Sequence, residues 1–232
     1  MENIDAIAML QDPVRRRLYE YVAAQGREVG RNEAAEAAGV ARTLAAHHLD
    51  RLTEAGLLES GSRRLTGRSG PGAGRPAKVY TRARAERSVS LPARDYRTAA
   101  ELLAEAADQA GLDAGLCAAA RRRGEALRGS TAPCGGLEEA MEMLVARGYE
   151  PHLESAEGVQ GAEGATVAAG RVVRMRNCPF HAVAERFPPL VCGMNLALLE
   201  GLLGADGSVR ARMDARPGEC CVVVEPSKNN DD

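Results

Sequence analysis

Val29-Gly30-Arg31-Asn32-Glu33-Ala34-Ala35-Glu36-Ala37-Ala38-Gly39-Val40-Ala41-Arg42-Thr43-Leu44-Ala45-Ala46-His47-His48-Leu49-Asp50-Arg51-Leu52-Thr53-Glu54-Ala55-Gly56-Leu57-Leu58 reads as two short helices meeting at a glycine. Gly39 stands where a chain turning between helices needs a positive φ, and Gly56 closes the second helix. Ala34, Ala35, Ala38 and Ala45 are small enough to let the helices cross closely. On the second helix Ala45, His48, Leu49 and Leu52 share one side, so that side faces inward. Arg42, Thr43, Ala46 and His47 are left near its outward N-terminal face, with Arg51 further along. This is the form of a helix-turn-helix, whose second helix presents such residues to base edges.

The flanks extend the motif. Upstream, Ile4, Ile7, Leu10, Val14, Leu18 and Val22 recur at helical spacing over residues 3–26, with Asp12-Pro13 starting a second part. Downstream, residues 57–60 and 77–81 read as two strands around a Gly/Pro-rich loop, a wing. Between Arg63 and Arg87, eight basic residues face one acid, Glu86, so Arg68, Arg75 and Lys78 are candidates for phosphate or minor-groove contacts. The net charge of −2 hides an asymmetry: residues 1–88 hold 15 Arg/Lys against 11 Asp/Glu, and the remainder 15 against 21.

His48-Leu49-Asp50-Arg51-Leu52-Thr53-Glu54-Ala55-Gly56-Leu57-Leu58 followed by Gly74-Arg75-Pro76-Ala77-Lys78-Val79-Tyr80 resembles the ArsR-like winged-helix regulators over roughly the first 85 residues. The resemblance implies a winged helix-turn-helix that binds a double-stranded DNA operator. With one recognition helix per chain, a homodimer on a two-fold site is the expected partner arrangement.

At 232 residues and 45% hydrophobic content the chain is long enough for two cores. Residues 89–135 read as a helical linker, broken at Gly111, whose first helix is a candidate dimer element. From residue 136 to 226 helices and strands alternate as an α+β domain, and residues 227–232 are expected to be a disordered tail. The fold class is thus α+β, with domains over 1–88 and 136–226. No long apolar run or basic N-terminal leader is present, so no membrane association and a cytoplasmic location are expected.

Six cysteines in such a protein are not expected to form a disulfide framework. Cys117 and Cys134 stand apart as ordinary buried thiols. Cys178 precedes Pro179 at a turn, with His181 three residues on; Cys192 opens an apolar helix, where the helix dipole is expected to favour thiolate. Cys220 and Cys221 enter a strand and should point to opposite faces, so one of them is expected to join a shared site. Thiols from three separate elements make a metal locus, with His181 and Cys221 as further candidate donors. Zinc would accept Cys178, His181, Cys192 and Cys220 or Cys221 as a closed tetrahedral site.

Asn177-Cys178-Pro179-Phe180, Val191-Cys192 and Gly218-Glu219-Cys220-Cys221 resemble the C-terminal motif of the iron–sulfur-cluster-binding repressors of the suf operon. That resemblance implies a 4Fe-4S or 2Fe-2S cluster on Cys178, Cys192 and Cys220, sensing iron–sulfur or redox state. The alternative is a regulator answering to a small apolar ligand lined by Leu196, Leu199, Val222 and Val224, with zinc or free thiols only structural. An enzyme using Cys178 or Cys192 with His181 is rejected, because no oxyanion, Walker or dinucleotide-binding motif accompanies them.

Overall fold

The computed structural model describes residues 2–63, 76–155 and 170–227. The chain divides into two compact units, Met1–Arg94 and Asp95–Asp232, and its class is α+β.

The first unit begins with α1 (Glu2–Ala8) and α2 (Pro13–Gln25). Asp12 caps α2, its carboxylate accepting from the Val14 and Arg15 amides at 2.8 and 3.0 Å, and Pro13 fits the first helical turn. A two-residue strand β1 (Val29–Gly30) leads into α3 (Arg31–Ala38) and α4 (Arg42–Glu54). Gly39 has φ +65°, and the amides of Gly39 and Val40 bond the carbonyls of Glu36 and Ala35, ending α3 abruptly. β2 (Leu58–Arg63) and β3 (Ala77–Arg82) form an antiparallel hairpin from Leu58↔Arg82 to Arg63↔Ala77, and β1 adds to the other side of β3. The core joins Leu18 and Val22 of α2, the alanines of α3, Ala45, Leu49 and Leu52 of α4, and Tyr80 of β3. The small β1 strand is absent from the sequence reading. Two residues are too short to carry periodicity.

The second unit begins with α5 (Tyr96–Gln109) and α6 (Asp113–Arg128), then α7 (Leu137–Val145) and β4 (Pro151–Ser155). β5 (Arg171–Met175), α8 (His181–Ala184), α9 (Pro188–Leu203), β6 (Val209–Met213) and β7 (Val222–Pro226) complete it. Its four strands form an antiparallel sheet in the order β4-β5-β7-β6. Leu144, Val173, Met175, Leu199, Leu202, Leu203, Val222 and Val224 make the core between sheet and helices. Each fully buried aliphatic side chain of this kind contributes about 1.5–3 kcal/mol.

α9 is apolar nearly all round because it is enclosed, packing against β6 and β7 as well as α6. That contact changes the reading of residues 89–135: α6 is a layer of the second unit, and the division falls between Arg94 and Asp95. The helix and its exposed charges looked like a linker because its contact with α9 is made by small residues, which leave no apolar stripe. Among the described residues no helix is long and apolar enough to cross a membrane.

Candidate nucleic-acid interface and cysteine centre

Arg42, Thr43 and His47 are exposed on α4, and Ala46 between them is half-buried. Arg51 is exposed and pairs with Glu54 at 2.9 Å. The opposite side of α4 is anchored by Ala45, Leu49 and Leu52, all fully buried, so the outward side chains stand on a rigid helix. Arg68 and Arg75 lie outside the described residues.

Lys78 is differently placed from the free wing cation that the sequence suggests. Its ammonium pairs with Asp50 at 2.8 Å and lies 5.4 Å from the Tyr80 ring centre. Asp50 also accepts from the Tyr80 hydroxyl at 2.6 Å and from Arg31 at 3.1 Å, while Arg31 donates to the Tyr80 oxygen at 2.9 Å. Burial raises the Asp50 carboxyl, but the hydrogen bonds from Lys78 and Tyr80 and the two cations outweigh it and hold the group below its ordinary value. Burial, then the Asp50 bond, push the Tyr80 hydroxyl up to about 12. This network ties α4 to the wing strand β3 and the start of α3. Sequence reading missed it, because its members are 19 to 49 residues apart and only folding reveals that two cations and one hydroxyl share the Asp50 carboxylate.

In the second unit, Cys178, Cys192, Cys220 and Cys221 line one small recess together with His181, Val191, Asn195 and Glu219. Cys178 follows β5 and precedes α8, where its carbonyl accepts from the His181 amide at 3.0 Å. Cys192 is one turn into α9, and Cys220-Cys221 lie just before β7. The Cys220 amide bonds the Met175 carbonyl at 2.9 Å, which fixes that loop against the end of β5.

The sulfurs interact in two pairs, Cys178 with Cys220 and Cys192 with Cys221. In the first pair the bond to Cys220 and then burial hold the Cys178 thiol well above the ordinary range. Cys220 accepts from Cys178 and, against the effect of burial, from the amides of Val222 and Cys221 and from Asn195, which together bring it to about 7. Burial and then the bond with Cys221 push Cys192 up to about 12.

Two expectations are corrected here. Cys192 gains no net thiolate character from the dipole, because it lies beyond the first residues of α9 and is buried. Cys220 and Cys221 both face the recess, because strand alternation starts only at Val222 and the preceding turn is free of it. His181 lines the recess but is exposed, 3.3 Å from Glu185. Leu199, Val222 and Val224 are fully buried in the core with Leu196 packed against them. Cys134 is buried, its thiol donating to the Gly136 carbonyl at 3.3 Å, and Cys117 sits on α6 beside Gly193.

Among the described residues no three His, Cys, Asp or Glu side chains already converge as a coordination set. The donor chemistry nevertheless suits a thiophilic metal or cluster, because four soft sulfurs from three elements border one space. The Asn195 side-chain amide already donates to the Cys220 sulfur, as outer-shell groups do to ligating atoms.

A family model described as a helix-turn-helix domain matches residues 10–61, from just after α1 into β2. Together with the wing hairpin, that match marks the first unit as a winged helix-turn-helix and supports a DNA-binding transcriptional regulator. No curated protein and no solved structure matches it.

Proposed function

We propose that the chain regulates transcription by binding a two-fold operator as a homodimer, with an iron–sulfur cluster on its C-terminal cysteines controlling that binding. The observation that carries the sensing part is the meeting of Cys178, Cys192, Cys220 and Cys221, from three elements, around one recess. Arg42, Thr43, Ala46, His47 and Arg51 read base edges and adjoining phosphates in the major groove. Arg68 and Arg75 add wing contacts, and Lys78 positions the wing through Asp50.

Dimerisation runs through α5, where Tyr96, Leu102 and Leu103 are 75, 62 and 72% exposed on an otherwise amphipathic helix. The cluster supplies a redox- and iron-sensitive crosslink between the turn after β5, α9 and the loop before β7. This chain's own residues do the rest: Cys178, Cys192, Cys220 and Cys221 ligate, and Val191 with the core beneath shields the sulfurs from water. Gain or loss of that crosslink alters how α9 is held, and with it the helices that pack on α9 and set the dimer.

The test is purification without oxygen, followed by absorption spectroscopy, iron, sulfide and zinc analysis, and operator binding by anisotropy. The expected result is iron with matching sulfide, a visible absorption band lost in Cys178→Ser, Cys192→Ser and Cys220→Ser, and an operator affinity that changes when the cluster is removed. Zinc alone, or no metal, overturns the cluster reading and leaves the DNA-binding one standing.

A further inference from the structure

Asn195 is a polar side chain 2% exposed within an apolar helix, where a leucine would pack as readily. A buried amide persists there only if both ends find partners. Its Nδ2 donates to the Cys220 Sγ at 3.4 Å, and its Oδ1 accepts from the Tyr149 hydroxyl at 2.5 Å. Tyr149 is itself 4% exposed, at the start of the segment leading into β4. The preceding carbonyl, of Gly148, accepts from the Asn177 amide at 2.7 Å, so the turn bearing Tyr149 is tied to the turn bearing Cys178.

The direction of the chain matters. A ligating or deprotonated sulfur can only accept, so the amide must offer it the NH2 end. The tyrosine enforces that choice by donating to Oδ1, which fixes the amide against flipping. Asn195 also follows Cys192 by three residues on α9, so one helix face carries both a candidate ligand and the group that orients another.

We propose that Asn195, locked by Tyr149, is the positioning residue for the Cys220 sulfur, aiming it into the recess and drawing electron density from it. For a sulfur in an iron–sulfur site, an N–H donor stabilises the extra charge of the reduced form and so raises the reduction potential. This electrochemical consequence rests on the cluster reading above; the hydrogen-bond relay does not.

The test uses the full-length protein in two states. In reduced, metal-free, 15N-labelled protein, the Asn195 side-chain NH2 signals are identified by their contacts with the Tyr149 ring. Cys220→Ala and Tyr149→Phe should each shift these signals and speed their exchange with solvent at least ten-fold, whereas Cys134→Ala should do neither. Signals unmoved by Cys220→Ala overturn the proposal. In the cluster-loaded protein, Asn195→Leu and Tyr149→Phe should move the midpoint potential to more negative values, the second serving if the first does not fold. An unchanged potential in both overturns the tuning role. If the wild-type protein loads no cluster, the functional reading fails and the NMR result alone decides this one.

Discussion

Gly124 of α6 and Gly201 of α9 lie at the crossing of the two helices, each facing the backbone of the other helix. A Cβ added to Gly124 would stand 2.1 Å from the Leu198 carbonyl oxygen, and one added to Gly201 would stand 2.2 Å from the Arg121 oxygen. Neither obstacle is a side chain that can swing away, so the helices themselves must separate. The crossing is closed at its edges by Arg121 pairing with Glu200 at 2.6 Å and Arg128 donating to the Gly201 carbonyl at 3.4 Å. Gly124→Ala and Gly201→Ala are therefore expected to lose about 1–3 kcal/mol each, the usual cost of overpacking. Thermal unfolding should show Tm lowered by several degrees in each, and an unchanged Tm in both would mean the crossing is looser than described.

Asp50 holds Lys78, Arg31 and the hydroxyl of the fully buried Tyr80. Asp50→Ala should cost about 1–3 kcal/mol, because it removes a charged acceptor from that hydroxyl. Urea denaturation measures the loss directly. The carboxyl is held below its ordinary value of 3.8, so its contribution is complete above about pH 4 and falls away as pH drops through the lower folded-state value. The acid limb of the stability profile should accordingly be shallower in the variant than in the wild type.

His48 sits on the inner side of α4, its Nδ1 buried with no hydrogen-bond partner among the described residues. Burial lowers its pKa below 6.5, opposed by the charge of Asp12 and aided by those of Arg15 and His47. The unfolded chain therefore takes up a proton before the folded one does, and stability declines as pH falls below about 6.5 until the folded histidine also titrates. Tm followed from pH 8 to 5 should show this decline in the wild type. A His48→Gln variant should flatten it, and an unaltered slope would assign the decline to other groups.

Arg42 and His47 stand exposed on α4 with no part in the core. Arg42→Ala and His47→Ala should each weaken operator binding by roughly 5- to 150-fold, the equivalent of about 1–3 kcal/mol per base contact. Fluorescence anisotropy at fixed salt measures this, and the unfolding midpoint should not move. Lys78→Ala should instead lower both, because its partner Asp50 belongs to the clamp between α4 and the wing strand.

Much of the first unit was legible from residue order. Helical spacing in α2 and α4, Asp12-Pro13 and Gly39 are local signals, and each has the local geometry expected of it. The alternation of strands and helices over residues 136–226 was legible for the same reason. α8 was not, since four residues leave no periodic trace.

The cysteine centre was legible only in part. Cys178, Cys192 and Cys220 were singled out by a family resemblance with Cys221 as a further candidate donor, but that Cys220 and Cys221 both border the recess was not legible. It depends on where β7 begins, and that is decided by the Cys220 amide bonding Met175 across the sheet. The partners of Asn195 were invisible for a related reason: Tyr149 and Cys220 lie 46 and 25 residues away, with no pattern in the chain linking them.

By itself, then, the sequence determined the helix-turn-helix, its outward side chains and the set of thiols available, because these depend on neighbours within a turn or two of helix. Only the tertiary structure decided that Lys78 is bound to Asp50, that α6 is a layer of the second unit, and that four sulfurs share one recess. Each of those is a contact between distant segments. Such contacts are selected by which surfaces can be buried together with their polar groups satisfied, and no local spacing encodes that.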